Sequence, residues 1–535
     1  MTVLEISPLA RRPVACHPCL LALSAIIQAS LMKQEIFINS TPQESRIAVI
    51  EDGQLAEFLI ERKEEMGIAG NIYKGKVARV LPGMQAAFVD IGMEKAGFLH
   101  ASDFDDVPEE VRLMSEGGEE VEFEDAPKPH HSSRRLPLEK RISRGEEILV
   151  QVAKDPLGTK GARITSHVSL PGRYMVFMPG SNHIGISRRI ESEEERKRLK
   201  EIAQGLGTKE GGFILRTACE GLSKREIQRD HRFLAILWNR IQKRAKSAAA
   251  PALIHQDLDL IARAIRDFFT TDTEQVMIDS ARDHRRIIEF VHQFMPRLKS
   301  KIVLYDERDP LFEHYAIEEK IEKALERKVW LRSGGYIIIE RTEALTAIDV
   351  NTGRFVGKRS QEETIVKTNL EAMQEVVRQL RLRNLGGIII IDFIDMEKEG
   401  NRKKIYEALR EALKKDKART NILKISELGL VEMTRQRTRE SLENQLLSPC
   451  PHCEGRGRIK SAVTIAYDLL RAIKKEQADL ENGKNIIVRM HPDIANFLYD
   501  EKNQSLDNLE REINHKIIIK ASAELRHEKY EISYS

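Results

Sequence analysis

The residues best placed to do chemistry are two acids and an amide. In Ala347-Ile-Asp-Val-Asn the strand period of two puts Asp349 and Asn351 on one face and Ile348 and Val350 on the other, and Thr352-Gly353 ends the strand. The next parallel strand, Ile388 to Phe393, also carries a carboxylate at its end, Asp392, with Asp395 three residues on. In an open α/β sheet the carboxyl ends of strands border the crevice where ligands bind, so Asp349, Asn351 and Asp392 should converge there. Two carboxylates a few ångströms apart need a compensating cation to stay ionised. Oxygen-only ligation suits a hard ion, Mg²⁺ or Mn²⁺, whose remaining ligands are waters and substrate phosphate oxygens. Such an ion polarises a phosphoryl group and activates water for in-line attack, which is metal-assisted phosphodiester hydrolysis. The plainer alternative has Asp392 or Asp395 capping the following helix and Asp349 in a turn, and Asp395 is left with it.

Positioning these groups needs a β-α-β unit. Tyr336 to Glu340 and Ala344 to Val350 are expected as strands, Ser360 to Arg383 as a helix and Asn401 to Asp416 as a second helix. In the first helix Val366, Leu370, Met373, Val377 and Leu380 make an apolar stripe that needs a sheet to cover, and Gly386 and Gly387 end it. Ile388-Ile-Ile-Ile shows no polar alternation, the pattern of a strand buried on both faces. The expected result is a parallel pair with a right-handed crossover.

Ser448-Pro-Cys450-Pro-His-Cys453-Glu-Gly-Arg-Gly reads as half of a zinc knuckle, because Pro and Gly let the loop turn both thiolates toward one ion. Tetrahedral zinc needs two more ligands. His452 lies between the thiolates, and Cys16 and Cys19 are far off near the N-terminus. The simplest closure is four thiolates, two from each of two subunits across a two-fold axis, giving a dimer whose assembly depends on metal. An unmetallated thiol pair on a loop is the alternative.

A third constellation is a basic, aromatic surface. Phe88 and Phe98 fall on short strands that also carry Lys74, Lys76, Lys154 and Lys160, the ingredients of a platform that stacks bases on rings and holds phosphates with ammonium groups. Both rings could equally be core. Arg188-Arg189, Lys224-Arg225 and the alternating Arg435, Arg437 and Arg439 are further basic clusters, each of which could be only a solvated face.

At 535 residues, with 41% apolar and 32% charged, the chain has room for three or four soluble domains. A net charge of +3 identifies no polyanionic partner, so a nucleic-acid surface must come from local segregation. Five cysteines exclude a disulfide scaffold and favour a cytoplasmic address, and no stretch approaches the roughly 20 apolar residues of a membrane span. Arg11 and Arg12 before Leu20 to Ile27 weakly imitate a secretory signal; the reading preferred is that residues 1–31 precede a natural start at Met32. From Glu35 to Ile60 short alternating strands begin a sheet that must be completed from elsewhere. Residues 71–168 continue as strands interrupted near 105–143 by acidic Glu116 to Asp125 and basic Lys128 to Arg141. Ser223 and Glu226 form a capping box before a long basic helix, and beyond Pro251 the chain is expected to be helical to about Met295.

Taken together, Tyr73-Lys-Gly-Lys, Ala86-Ala-Phe-Val-Asp-Ile-Gly, Gly97-Phe-Leu, Thr342-Glu-Ala-Leu-Thr-Ala-Ile-Asp-Val-Asn, Leu385-Gly-Gly-Ile-Ile-Ile-Ile-Asp-Phe-Ile-Asp-Met and Cys450-Pro-His-Cys resemble the bacterial ribonuclease E and G family from Met32 to near the end. Ending at Ser535 without a long scaffold tail, the chain is expected on the ribonuclease G side of that family. The resemblance implies an α/β multidomain protein. Its parts would be a doubtful extension (1–31), an RNase H-like domain in two pieces (32–70 and, with a helical segment, 222–325), an S1-type OB barrel (71–168) and a 5′-sensor region (169–221). A DNase I-like catalytic domain (326–447), a zinc link (448–457) and a small α+β dimerisation domain (458–535) would follow.

It further implies a cytoplasmic endoribonuclease for single-stranded RNA, leaving 5′-phosphate and 3′-hydroxyl ends, in ribosomal RNA processing and RNA decay. By motif, Asp349 and Asp392 resemble the Mg²⁺ ligands and Asn351 the group that positions the scissile phosphate. Cys450 and Cys453 resemble the Zn²⁺ ligands of a homodimer or dimer of dimers, and Phe88, Phe98, Lys154 and Lys160 fall in the RNA-contacting barrel. Arg216-Thr217, with Gly172 and Val176, resemble the sensor of a 5′-monophosphate, for which a guanidinium fork is suited. A non-catalytic RNA-binding or ribosome-assembly factor and a DNA nuclease are the rival readings.

Overall fold

Alternating apolar residues build three antiparallel strands, Gln34–Ser40, Glu44–Glu51 and Gln54–Arg62, and the first of them pairs in parallel with Thr273–Ile278, itself parallel to Ile302–Leu304. The structure, a computed structural model, describes residues 33–104, 121–123, 138–156, 160–181, 183–187, 189–190, 192–207, 211–354, 361–414, 416–423, 425–426, 429–476, 485–500 and 503–535. Cys16, Cys19, Met32, Arg188 and most of the acidic-then-basic stretch expected near 105–143 lie outside these residues. The chain divides into two compact units, one ending at Gln445 and the other beginning at Leu446.

In the first unit the opening sheet packs Ile36, Ile38 and Ile47 against Ile265, Ile287 and Val291 of the helices Leu260–Phe268 and Ala281–Phe294. The region from Pro251 to Met295 is therefore not helical throughout, as its sequence led us to expect. Ala252–His255 and Thr273–Ile278 are strands, because Val276 and Ile278 bury against the parallel partner Ile36–Ile38 and Ala252–His255 pairs with Ile72–Leu81.

Five strands close a barrel: Ile72–Leu81, Ala86–Asp90, Gly97–His100, Arg163–Thr165 and Glu147–Lys154, the last pairing back to the first. Val77, Ala87, Val89, Leu99, Val150, Val152 and Ile164 fill it. A neighbouring sheet of Leu170–Pro171, Met175–Met178, Gly212–Leu215, Ile184–Ser187 and Val121–Phe123 packs on the helix Lys224–Ser247 through Ile227, Leu234 and Ile241. The Ser223 amide that opens this helix donates to Glu226 Oε2 at 3.1 Å, as the capping pattern requires.

The remaining sheet of this unit contains β1 (Tyr336–Arg341), β2 (Leu345–Asn351), β3 (Gly387–Asp392) and β4 (Leu430–Arg435), with Lys328–Trp330 and Thr420–Ile422 at its edges. Helix α1 (Gln361–Leu382) links β2 to β3, which run parallel, and α2 (Glu399–Leu413) follows β3. Both helices cover the same face, where Ile348, Val350, Ile389, Ile391 and Val431 meet Met373, Val376, Leu380, Ile405 and Leu409. Strand β3 is not buried on both faces as expected, since Ile388 is 51% exposed. Isoleucine on both sides of the pleat hides the alternation that would have revealed an open face. Helix α1 ends within one residue of the expected Arg383, and Asn384 rather than a glycine takes the left-handed position after it, with φ 47° and its side-chain amide donating to the Arg439 carbonyl at 2.7 Å.

The second unit has a central strand β5 (Ile486–Met490), parallel to β6 (Ile517–Ala521) and antiparallel to β7 (Tyr530–Tyr534). Helices Ala462–Glu476, α3 (Pro492–Asp500) and Asn503–Ile513 bury Ile465, Leu469, Ile494 and Leu498 with Val488 and Met490. Among the described residues no helix is long and apolar enough to cross a membrane.

Candidate active site and nucleic-acid interface

The register of β2 and β3 pairs Asp349 directly with Asp392 at the carboxyl ends of two parallel strands, whose backbones run about 4.8 Å apart. Both side chains are on the open face, opposite the helices. The Asn351 amide donates to Asp349 Oδ2 at 2.8 Å, which orients one oxygen and leaves the other for a ligand. Partial burial first, then the charges of Asp349 and Asp395, push the Asp392 carboxyl above its ordinary value. Asp395, left by its sequence position to a capping role, thus belongs to this cluster.

Neither Asp392 nor Asp395 caps α2. Its N-cap is Lys398, and Glu362 of α1 accepts from the Lys398 amide at 3.4 Å and from the Asn401 side chain at 2.7 Å. Room beside Asp395 comes from Gly429, at φ +80°, where a Cβ would stand 3.1 Å from Asp395 Oδ1. A crowded, exposed set of carboxylates, with the proton affinity of Asp392 raised and an amide beside it, fits a hard divalent cation.

A second cluster surrounds Arg216. Its Nη1 donates to the Gly172 carbonyl at 3.1 Å and to Asp267 Oδ1 at 3.3 Å, while Thr217 Oγ1 lies 3.1 Å from Ser187 Oγ. The loop containing Gly172 is pinned by buried Asp230, whose carboxylate accepts from the backbone N–H groups of Tyr174 at 2.8 Å, Met175 at 3.2 Å and Arg173 at 3.4 Å. Burial pushes the Asp230 carboxyl up, against the pull of those three donors. A Cβ on Gly172 would stand 2.7 Å from Asp230 Oδ2 and 2.8 Å from Leu234 Cδ1, so only glycine fits. Burial would also raise Asp267, but Arg266, Arg216 and Lys417 outweigh it and hold the carboxyl at about 2. Val176 is buried within the sheet and shapes this site through its strand.

On the barrel Phe88 pairs with Phe98, Phe98 with Arg163 and Arg163 with Lys154, forming one row across four strands. The two rings are half-buried, with centroids 5.8 Å apart and planes at 66°. Lys154 and Lys160 are exposed. Arg163, which the sequence offered no reason to single out, is held in the row by Asp103 at 3.0 and 3.1 Å. Lys74 is not part of this surface, because Glu147 at 2.8 Å and the Ala248 carbonyl at 2.9 Å engage its ammonium group. Nor does Arg435 face solvent: it is 5% exposed and grips Asp416 at 2.7 and 3.0 Å.

In the second unit Cys450 and Cys453 are free thiols, the former exposed. The Glu454 N–H donates to the Cys450 carbonyl at 2.8 Å, and Glu454 and Gly455 take positive φ to complete the turn. Backbone N–H groups of Cys453 and His452, then the Cys453 side chain, hold the Cys450 thiol below its ordinary value. Two thiols on one turn, one of them favoured as thiolate, fit half of a tetrahedral zinc site.

Comparison with known proteins matches residues 169–438 to the Ribonuclease E/G family and residues 449–535 to a domain described as RNase E/G, thioredoxin-like. Ribonuclease G of Escherichia coli (strain K12) is 43% identical over 501 residues, covering 94% of this chain and 99% of that protein. The chain belongs to the ribonuclease E/G family. Ribonuclease G of Haemophilus influenzae is 44% identical over 499 residues, with 93% of this chain and 99% of the relative covered. Ribonuclease E of Escherichia coli (strain K12) is 39% identical over 485 residues, which are 89% of this chain and 44% of that protein.

The ribonuclease E/G resemblance read from the motifs is thereby borne out. Two residues that no ribonuclease E/G motif singled out, Asp230 and Asp267, hold the groups those motifs did point to. A buried acid on a basic helix (Asp230) and an Arg-Asp pair closing an apolar helix (Arg266-Asp267) were the available signals.

Proposed function

We propose that this chain hydrolyses phosphodiester bonds of single-stranded RNA at the Asp349, Asn351 and Asp392 cluster. Family membership makes it an endoribonuclease. The observation that carries the proposal is the in-register pairing of Asp349 with Asp392 on an uncovered sheet face.

Asp349 and Asp392 would hold Mg²⁺, which when bound polarises a phosphate and makes a coordinated water more acidic. Asn351 keeps Asp349 oriented and offers its amide side to the scissile phosphate. Strand β3 keeps the two acids at fixed separation, so the chain itself provides the geometry for in-line displacement, with 5′-phosphate and 3′-hydroxyl products. Phe88 and Phe98, with Lys154 and Lys160, would stack and hold the RNA on the barrel, each stacked base contributing about 1–3 kcal/mol. A terminal 5′-monophosphate would take the Arg216 guanidinium in place of Asp267, with Thr217 and the Gly172 loop beside it, and so stimulate cleavage.

We read the opening sheet as RNase H-like, the barrel as S1-type and the β1–β4 sheet as DNase I-like. The Cys450 and Cys453 loop would share Zn²⁺ with a partner's loop in a homodimer or dimer of dimers. The processes proposed are ribosomal RNA processing and RNA decay in the cytoplasm.

The test is one fluorescent oligoribonucleotide bearing a 5′-monophosphate or a 5′-hydroxyl, with and without Mg²⁺, cut by the intact chain and by Asp392→Asn. The expected result is Mg²⁺-dependent cutting, faster on the monophosphate, and a loss of about 10²–10⁴-fold in the variant with RNA binding retained. Undiminished turnover in the variant would remove the assignment of cleavage to this cluster, and binding without any cutting by the intact chain would favour an RNA-binding factor. Equal cutting of the matching oligodeoxyribonucleotide would point to a DNA nuclease.

A further inference from the structure

Three metal-ligating side chains of the second unit have no part in the reading above. Strand β5 ends at Met490, His491 follows, and Asp493 stands in the first turn of α3. Strand β7 pairs antiparallel with β5, Tyr530 opposite Met490, which returns the preceding turn to the same strand end. That turn is tied down by the Ser522 N–H donating to the Met490 carbonyl at 2.8 Å and the Lys529 N–H donating to the Arg526 carbonyl at 2.9 Å. His491, Asp493 and His527 therefore meet. One ligand atom from each lies within 4.8 Å of the others, and the two imidazole centroids are 5.3 Å apart.

Two observations say that this cluster is built around a cation. His527 Nδ1 is closed off from solvent and has no hydrogen-bond partner, an arrangement that costs free energy unless something occupies it. His491 Nδ1 accepts from the Asp493 N–H at 3.3 Å, so its lone pair faces that residue, yet Asp493 Oδ2 stands only 3.4 Å from the same nitrogen. The ring nitrogen and the carboxylate oxygen thus stand where a shared cation would join them. The geometry points to a divalent transition-metal site of the zinc class, formed by His491, Asp493 and His527 with water completing the shell. Two imidazoles and a carboxylate are a donor set of that class, and bonds of about 2.0–2.1 Å put ligand atoms about 3.3 Å apart, so side-chain rotation alone closes the site.

Its consequence is structural. His527 is flanked by Arg526, paired with Glu454 at 2.7 Å, and by Glu528, which pairs with Arg456 at 2.7 Å and accepts the Lys460 N–H at 2.5 Å. An ion fixing His527 to the end of β5 thus fixes the turn on which the Cys450 and Cys453 loop rests. The donor chemistry differs from that of the thiolate pair, so the two sites can be read separately.

The experiment is calorimetric titration of the full-length chain carrying Cys450→Ser and Cys453→Ser with ZnCl₂. One Zn²⁺ is expected to bind per chain, and a further His527→Asn or His491→Asn should weaken binding by about tenfold or more. In parallel, Co²⁺ added to the chain with its cysteines intact should give, beside the thiolate charge-transfer bands of the cysteine pair, ligand-field bands that are lost in His527→Asn while the charge-transfer bands remain. This second arm decides the matter if the cysteine variant fails to fold. No saturable Zn²⁺ binding together with no such cobalt bands, or binding indifferent to both histidine variants, would overturn the site and leave only a proton-linked His491 and Asp493 pair.

Discussion

Asp392 shows how a single residue's surroundings set the chemistry available to it. Its carboxyl is raised by partial burial and by the neighbouring charges of Asp349 and Asp395, so a proton competes with a divalent cation for it at higher pH than at an ordinary aspartate. As pH falls toward the raised value Asp392 protonates, its oxygens would no longer hold a cation, and cleavage is expected to decline. Asp395→Asn removes one of the raising charges without touching the other two acids. The acidic limb of the pH–kcat/KM profile should therefore move to lower pH in that variant, and a limb that stays in place would exclude Asp395 from the cluster.

Gly172→Ala makes the corresponding case at the proposed sensor, since a Cβ would collide with Asp230 and Leu234. It should cost about 1–3 kcal/mol and displace the loop against Arg216, lowering the rate on 5′-monophosphate RNA toward that on 5′-hydroxyl RNA in single-turnover assays. The strand period made Asp349 and Asp392 legible as partners from the chain alone. Asp395 was not, because a three-residue offset after a strand reads equally well as a helix cap. Arg216-Thr217 has no pattern of its own and could be found only through resemblance. Arg435 was misplaced, because an alternating run of arginines does not say which one has a buried acid waiting for it.

Among the elements, α1 does most to place the site. One face packs on the β1–β4 sheet. From another, Arg381 reaches Glu51 at 2.8 and 3.0 Å and Glu57 at 3.1 Å, and Arg378 donates to the Leu55 carbonyl at 2.8 Å. The helix thus fastens the carboxylate sheet to the opening sheet of the same unit. Burial pulls the Arg381 guanidinium down, but the two glutamates more than compensate and raise it above its ordinary value. Arg381→Ala would leave buried Glu57 with only the longer contact to Arg439 at 3.9 Å, and a loss of about 3–5 kcal/mol is expected in denaturant unfolding. A change within 0.5 kcal/mol or so would show the pairing to be only a surface contact. The helix itself was legible from its stripe. Its end was legible to within one residue, although Asn384 rather than a glycine takes the left-handed position. The open face of β3 was hidden: four consecutive isoleucines carry no polar alternation, although only Ile389 and Ile391 are fully buried.

For the molecule as a whole, the two units carry separate parts of the proposal: the carboxylates, sensor row and barrel in the first, the cysteine loop in the second. If that loop shares zinc across a two-fold axis, Cys450→Ser should dissociate the assembly in sedimentation velocity while leaving each chain folded, and an unaltered sedimentation coefficient would defeat the shared site. The discontinuous opening sheet could be anticipated only as incomplete, because its parallel partner lies beyond the barrel in sequence and parallel pairing leaves no local mark.

RNA cleavage is proposed to need a hard divalent ion that Asp349 and Asp392 would hold. This requirement is tested most directly by exchanging one ligand's softness in Asp392→Cys and following cleavage of a single-stranded oligoribonucleotide in Mg²⁺ and in Mn²⁺. The prediction is unchanged RNA affinity, no cutting in Mg²⁺, and partial recovery in Mn²⁺, the ion more tolerant of a thiolate. Cutting in Mg²⁺ at the parent rate would contradict it.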